Sequence, residues 1–339
     1  MSETSISYPE KGSATALDSN ENLLLLNEYY EEIKETADFS LRKYPSPTAK
    51  ELKNQVGELY ELPPEQVVVG NGSDAILDTI VKTFVPREGT LAYFSPSYEM
   101  YPFITSRNEK KSLEIPLNPD FSFPSVKDYI DEIDVILITS PNNPTGLTFP
   151  EENLHNVLEE DVLVVLDEAY VEYSSQDYIS LLDSYDNLIL VRTFSKAWGL
   201  AGIRVGYALS SAELGLKLLE NMLPYNVNSF SLQAAITALK KKDYVDELID
   251  KTIELREDLK AKLEDLGFNT LVSETNFIFC KTPRSIDSSE LEEELLERDI
   301  RIRTFSDSKL KDYVRITVAD EKTNERLISS LEDILSESY

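Results

Sequence analysis

The chain has 339 residues, 41% of them hydrophobic, and its 33 basic and 62 acidic side chains give a formal net charge of −29. This length predicts one large domain and a smaller one, and the acidic balance argues against nucleic acid or an anionic membrane surface as a partner. No segment approaches the roughly 18 apolar residues of a membrane span, residues 1–17 lack the apolar stretch of a signal peptide, and the single Cys280 indicates a reducing, cytoplasmic location.

The first part of the chain alternates short apolar runs with amphipathic stretches. Strands are predicted at residues 67–69, 91–94, 135–139, 162–166 and 188–191, and helices at 73–84 and 98–105. Runs that are apolar at consecutive positions are typical of strands covered on both faces. The alternation therefore predicts an α/β fold in which helices cover a mostly parallel sheet.

The sequence changes character after about residue 210, where charged helical sequence dominates to residue 266. A smaller α+β pattern follows, with strands predicted at 277–280, 300–303 and 314–318 and helices at 288–297 and 321–335. We predict a large domain over residues 40–245 and a small domain made of 1–39 together with 246–339. A long helix around 245–266 joins them, and the N-terminal stretch is expected to pack on the small domain.

The glycine-punctuated run 195–207 places Lys196 beside Ser195 and eight positions before Arg204. A lysine amine can form a Schiff base with an aldehyde, while a nearby hydroxyl and a guanidinium can hold a phosphate. An aldehyde and a phosphate on one small molecule describe pyridoxal 5′-phosphate (PLP). Because a lone lysine is usually a solvated surface residue, the other parts of a PLP site must decide between the two interpretations.

Several polar residues follow predicted strands, as a PLP site requires. Asp167 ends an apolar run at the carboxyl end of a strand, where it can face the ring nitrogen of the cofactor; an aspartate there is also typical of a helix cap. Asn143 and Tyr170 are candidate donors to the cofactor's phenolic oxygen, although the Asn143 segment also has the composition of an ordinary turn. Tyr98 is a candidate to stack on the ring, with simple packing as the alternative.

The turn at residues 70–74 precedes a predicted helix and so exposes backbone N–H groups suited to an anion. Ser73 and Asp74 are candidate phosphate contacts, completed by Ser195 and Arg204. Because the Asp74 carboxylate would repel a phosphate, its backbone N–H is the expected contact. Plain capping of the helix by Ser73 is compatible with this role.

Taken together, these segments resemble the fold-type I PLP-dependent aminotransferases, and within that family the histidinol-phosphate aminotransferase branch. The similarity covers nearly the whole chain and runs through residues 17–22, 42–45, 70–74, 141–146, 167–170, 195–207 and 314–318. It implies a PLP-dependent transferase-like fold and a homodimer with active sites at the subunit interface. It also implies that Tyr44 contacts the PLP phosphate of the neighbouring subunit, and that Arg303, Arg315 and Asn143 bind the substrate.

The implied reaction is PLP-dependent transamination in histidine biosynthesis, with a phosphorylated amino alcohol and glutamate as substrates and Lys196 as the catalytic residue. A threonine-phosphate decarboxylase or an aromatic-amino-acid aminotransferase on the same scaffold is the alternative, because residues 23–26 are leucines where the family usually has a proline and an aromatic. Two other classes of protein are disfavoured. A PLP-sensing regulator would carry a basic DNA-binding domain ahead of the fold, where this sequence has only a short acidic arm. A dinucleotide-dependent oxidoreductase would carry a G-x-G-x-x-G turn after a strand, and no predicted strand is followed by one. One histidine, His155, and one cysteine predict no metal site.

Overall fold

A computed structural model describes residues 13–35 and 42–337 of the chain. The helices are α1 (Asn27–Glu35), α2 (Lys50–Tyr60), α3 (Ser73–Phe84), α4 (Met100–Arg107), α5 (Glu151–Leu158), α6 (Ala212–Asn221), α7 (Ser229–Leu239), α8 (Lys242–Asp265), α9 (Ser288–Glu297) and α10 (Glu321–Glu337). The strands are β1 (Thr15–Ala16), β2 (Val67–Gly70), β3 (Thr90–Ser95), β4 (Lys111–Pro116), β5 (Val135–Thr139), β6 (Leu163–Asp167), β7 (Leu188–Thr193), β8 (Gly206–Ser210), β9 (Asn269–Thr270), β10 (Phe277–Lys281), β11 (Ile300–Arg301), β12 (Arg303–Thr304) and β13 (Tyr313–Thr317). Within the described ranges, none of these helices combines the length and apolar character needed to cross a membrane.

A seven-stranded sheet in the order β2-β8-β7-β6-β5-β3-β4 forms the centre of the large part of the molecule. Only β8 runs antiparallel to its neighbours, so the predicted mostly parallel sheet is confirmed. The sheet is buried on both faces, which explains its consecutive apolar residues. In β5, Ile136 and Ile138 enter one hydrophobic cluster, whereas Val135 and Leu137 enter the cluster on the opposite face.

A four-stranded antiparallel sheet, β12-β13-β10-β9, carries a separate hydrophobic cluster with parts of α8, α9 and α10. The long helix α8 connects the two parts, because Val245 lies in the first cluster and Leu259 in the second. The strand predicted at 300–303 is divided at Ile302. β11 pairs with β1, whereas β12 pairs with β13.

The N-terminal segment packs on both parts of the molecule, so only its first part follows our expectation. Leu17 belongs to the cluster of the smaller sheet, but Leu25, Tyr29 and Ile33 pack in the large cluster. The Tyr29 hydroxyl also donates a hydrogen bond to the Trp198 carbonyl at 3.0 Å. The division into domains at 40–245 and at 1–39 with 246–339 stays a prediction, and its first boundary lies outside the described residues.

Candidate active site

The candidate residues converge on one cleft at the carboxyl ends of the parallel strands. This cleft has a volume of about 610 Å³ and receives side chains from both sheets. Eleven of the twelve predicted site residues line it, namely Ser73, Asp74, Tyr98, Asn143, Asp167, Tyr170, Ser195, Lys196, Arg204, Arg303 and Arg315. The exception is Tyr44, whose ring is 85% exposed and stacks near Tyr225 with 5.1 Å between ring centroids.

Lys196 follows β7 and points into the cleft rather than into open solvent. Its Nζ donates a hydrogen bond to the Ser19 carbonyl at 3.1 Å and lies 5.6 Å from the centroid of the Tyr170 ring. The next two residues, Ala197 and Trp198, are buried and fix the turn that carries the lysine. The lysine backbone is therefore fixed by its buried neighbours, and the amine is hydrogen-bonded only to a neutral oxygen. This leaves the amine available to react with a carbonyl compound.

Asp167 is the last residue of β6 and is only 3% exposed. Its Oδ2 accepts a hydrogen bond from the Tyr101 hydroxyl at 3.0 Å, while its buried Oδ1 has no hydrogen-bond partner among the described residues. Burial raises the pKa of this carboxyl to about 7, against the hydrogen bond from Tyr101 that lowers it. A cationic N–H donor in the cleft would satisfy the free oxygen and stabilise the carboxylate.

The proposed anion cup is formed where α3 begins. Gly72 precedes the helix with a φ of +80°, and a Cβ on it would lie 2.8 Å from Nη2 of Arg204. The Asp74 carboxylate is already paired within the protein, because it accepts hydrogen bonds from Arg204 at 2.8 Å and from the Tyr98 hydroxyl at 2.9 Å. Ser195 contributes a buried hydroxyl that accepts from Thr193 Oγ1 at 3.0 Å.

Arg315 lies on β13 and is 8% exposed. Its Nη1 donates to Asn143 Oδ1 at 2.6 Å, and its Nη2 donates to the Asp18 carbonyl. Since the Asn143 oxygen is taken, the amide N–H₂ of this side chain is the group free to donate to a ligand. Tyr170 is oriented in a similar way, because its hydroxyl accepts from Asn20 Nδ2 at 2.9 Å and keeps its own proton to donate.

Sequence reasoning missed three residues that orient the site: Tyr101 against Asp167, Asn20 against Tyr170, and Glu99, which pairs with Arg303 at 2.6 Å. Tyr101 is three positions after Tyr98 in a predicted helix, and this spacing places both rings on one helix face. Asn20 lies within the segment 17–22 that carries the resemblance. Nothing in the sequence indicates that Glu99 reaches an arginine 204 positions away.

The cleft brings together a lysine amine, a buried carboxyl and three arginines at the carboxyl ends of parallel strands, an arrangement typical of enzymes that act on amines through a carbonyl group. The profile of the family "Aminotransferase class I and II" matches residues 13–331. The chain belongs to this family, and the resemblance seen in the sequence is confirmed.

Two relatives are named histidinol-phosphate aminotransferase. The protein from Acinetobacter baumannii (strain AYE) is 37% identical over 311 residues, covering 90% of this chain and 85% of its own. The protein from Brachyspira hyodysenteriae is 32% identical over 334 residues, covering 96% of this chain and 94% of its own.

Solved structures share the fold. The histidinol-phosphate aminotransferase from Clostridium acetobutylicum superposes with a TM-score of 0.88 at 24% identity, over 95% of this chain and 99% of that one. The histidinol-phosphate aminotransferase from Sinorhizobium meliloti, solved with pyridoxal 5′-phosphate, superposes with a TM-score of 0.87 at 25% identity, over 96% of this chain and 92% of that one.

Proposed function

We propose that the chain is a PLP-dependent transaminase that exchanges an amino group between histidinol phosphate and 2-oxoglutarate, in the reversible reaction of histidine biosynthesis. The observation that carries the chemistry is the buried Asp167, whose Oδ1 lacks a partner among the described residues, in the same cleft as the Lys196 amine. The substrate follows from the relatives that bear this name at 32% and 37% identity along most of their length.

The residues of the cleft fit PLP. Lys196 would hold its aldehyde carbon, Asp167 Oδ1 would accept the N–H of the protonated ring, and Tyr170 and Asn143 would donate to the phenolic oxygen. The gap beside Gly72, which a Cβ would fill, leaves the Arg204 guanidinium accessible to the phosphate. When bound, PLP supplies an electron sink for the charge that develops on the substrate's α-carbon.

The chain's own groups would then move the proton and hold the substrate. Once the substrate's amine has displaced it from the aldehyde carbon, the freed Lys196 amine would take the proton from the substrate's α-carbon and deliver it to that former aldehyde carbon. Arg315 would bind the phosphate of one substrate and a carboxylate of the other, because a planar guanidinium suits both anions. Burial lowers the pKa of Arg315, so an incoming anion also stabilises its charged form.

We also propose a homodimer in the cytoplasm. Tyr44, Tyr225 and Leu223 are exposed apolar side chains, with Leu223 at 81%, and the two rings are in contact. A second copy of this chain would cover them and bring Tyr44 to the neighbour's cofactor phosphate. The buried thiol of Cys280 is compatible with a reducing compartment. Light scattering of the purified holoenzyme should give twice the chain mass.

An amino-acceptor panel tests the function. Purified protein with PLP should convert histidinol phosphate and 2-oxoglutarate to imidazole acetol phosphate and glutamate, and Lys196→Ala should lose both turnover and the absorbance of the lysine-bound cofactor. Lys217→Ala, an exposed lysine paired with Glu213, is the matched control and should behave as wild type. Carbon dioxide release from threonine phosphate, or preference for aromatic amino acids, would instead assign one of the two alternative activities.

A further inference from the structure

The cleft has an unusual charge balance for a site that binds anions, because seven acidic and four basic side chains line it. The three arginines differ in what holds them. Arg204 and Arg303 are each bound by a carboxylate, at 2.8 Å from Asp74 and 2.6 Å from Glu99. Arg315 is held by the neutral oxygens of Asn143 and of the Asp18 main chain. Among the described residues no carboxylate forms an ion pair with Arg315, so an incoming anion displaces none there, whereas at Arg303 it must displace Glu99.

Arg303 and Arg315 occupy facing positions on the paired strands β12 and β13. Residues directly opposite on antiparallel strands have Cβ atoms about 5 Å apart, and like charges there repel each other. Burial is the main cause that lowers the pKa of Arg315; Arg303 lowers it further, and Glu99 acts in the opposite direction. Glu99 thus partly neutralises the positive charge of the two arginines, as a bound anion would.

Glu99 reaches this pair from the other side of the cleft. It directly precedes α4 in the large part of the molecule, whereas Arg303 belongs to the smaller sheet. Both side chains keep contact with solvent, at 58% exposure for Glu99 and 39% for Arg303. An ion pair with this exposure is weak enough for a ligand to displace.

We propose that Glu99 competes with the second anionic group of a substrate for Arg303, and thereby sets how strongly the cleft prefers ligands with two anionic ends. A monoanion uses Arg315 and leaves the Glu99–Arg303 pair in place. A dicarboxylate such as glutamate also needs Arg303, so its second carboxylate must displace Glu99. This inference takes from the proposed function only that the cleft binds substrate, and it does not depend on which phosphorylated compound is used.

The test compares glutarate with valerate, which share a five-carbon chain and differ in one carboxylate. Each is titrated into the PLP-loaded protein, and the dissociation constant is read from the absorbance of the bound cofactor, without turnover. Glu99→Gln should lower the dissociation constant of glutarate by about two- to five-fold, which corresponds to the free energy of an exposed ion pair. Valerate binding should change by less than about 1.5-fold, because valerate displaces no carboxylate and Glu99 acts on its partner Arg315 only from a distance, through a screened interaction.

Glu114→Gln is the matched control. Glu114 lines the same cleft and its carboxylate accepts from the Tyr93 hydroxyl at 3.2 Å, but it pairs with no arginine among the described residues. This variant removes the same charge and should leave the glutarate-to-valerate ratio unchanged. In the Arg303→Gln background, Glu99→Gln should no longer affect glutarate, since the competition requires both partners.

Equal tightening by Glu114→Gln would reduce the effect to general charge and overturn the proposal. Unchanged or weaker glutarate binding in Glu99→Gln would overturn it as well, and so would absence of glutarate binding in both wild type and variant. Transamination in the amino-acceptor panel is a separate measurement, so a failure of the proposed function is distinguishable from a failure of this competition.

Discussion

Replacing Asp167 by asparagine should change how the stability of the cofactor-free chain depends on pH. The carboxyl is buried, its Oδ1 lacks a partner among the described residues, and burial raises its pKa from 3.8 to about 7. Because the folded-state pKa lies above the unfolded value, the folded chain retains a proton that the unfolded chain has already released. The stability associated with this carboxyl is therefore fully present below about pH 4 and is lost as the pH rises through 7.

The magnitude follows from the two pKa values. The interval between 3.8 and about 7 corresponds to about 4 kcal/mol, at about 1.4 kcal/mol for each pH unit. Part of this is already lost at pH 5, where the unfolded chain is mostly ionised. Between pH 5 and pH 8 the wild type should lose about 2.5 kcal/mol through this group, whereas the asparagine variant has no such titration.

Urea unfolding of the two cofactor-free proteins at pH 5 and pH 8 measures the difference. Burial also raises the pKa of Glu168 and of Glu172, but both residues are present in both proteins, so most of their contribution cancels in the comparison. A free-energy difference between variant and wild type that is the same at both pH values would refute the raised pKa. Saturating PLP should favour the wild type at pH 8, because the carboxylate then has a cationic N–H partner.

Two further substitutions address the anion-binding groups. Arg315→Ala should raise KM for both amino donors by about ten-fold or more, the value of a lost charged hydrogen bond, and steady-state kinetics with unchanged KM for both would remove Arg315 from the site. Gly72→Ala should weaken PLP binding by about ten-fold or more through backbone strain, because φ is +80° and the new methyl would lie 2.8 Å from Arg204 Nη2. Gly202→Ala is its control, since a Cβ there meets nothing within 4 Å, and equal PLP affinities of the two variants would contradict the cup.

The positions of the central strands were predictable because strands that are buried on both faces are apolar at consecutive positions. Strand β5 matches its predicted range, and helix α3 begins and ends as predicted. Strand β4 was missed because it lies at the edge of the sheet, where most of its side chains are exposed and no apolar run marks it. Strand β8 was missed because it begins within the glycine-punctuated run 195–207, which we interpreted only as a part of the cofactor site.

The convergence of the site was predictable for a related reason. Residues that follow parallel strands meet at one edge of the sheet, so Asn143, Asp167 and Lys196 needed only a correct strand prediction. Their hydrogen-bond partners were not predictable, since Tyr101 reaches Asp167 across 66 positions and Asn20 reaches Tyr170 across 150. Such contacts depend on side-chain distances that no local pattern contains.

Net charge illustrates the same limit in a different way. A charge of −29 predicts that nucleic acid is not a partner, yet it does not determine anion affinity in the cleft, because charges beyond about 8 Å are screened at physiological salt. Anion affinity in the cleft depends instead on whether each guanidinium is bound to a neutral oxygen or to a carboxylate. Arg315 is hydrogen-bonded to an amide and a main-chain carbonyl and forms no ion pair among the described residues, whereas Arg303 forms an ion pair with Glu99. A single carboxylate in contact with a cleft arginine is therefore expected to influence anion selection more than the screened acidic charge on the rest of the surface.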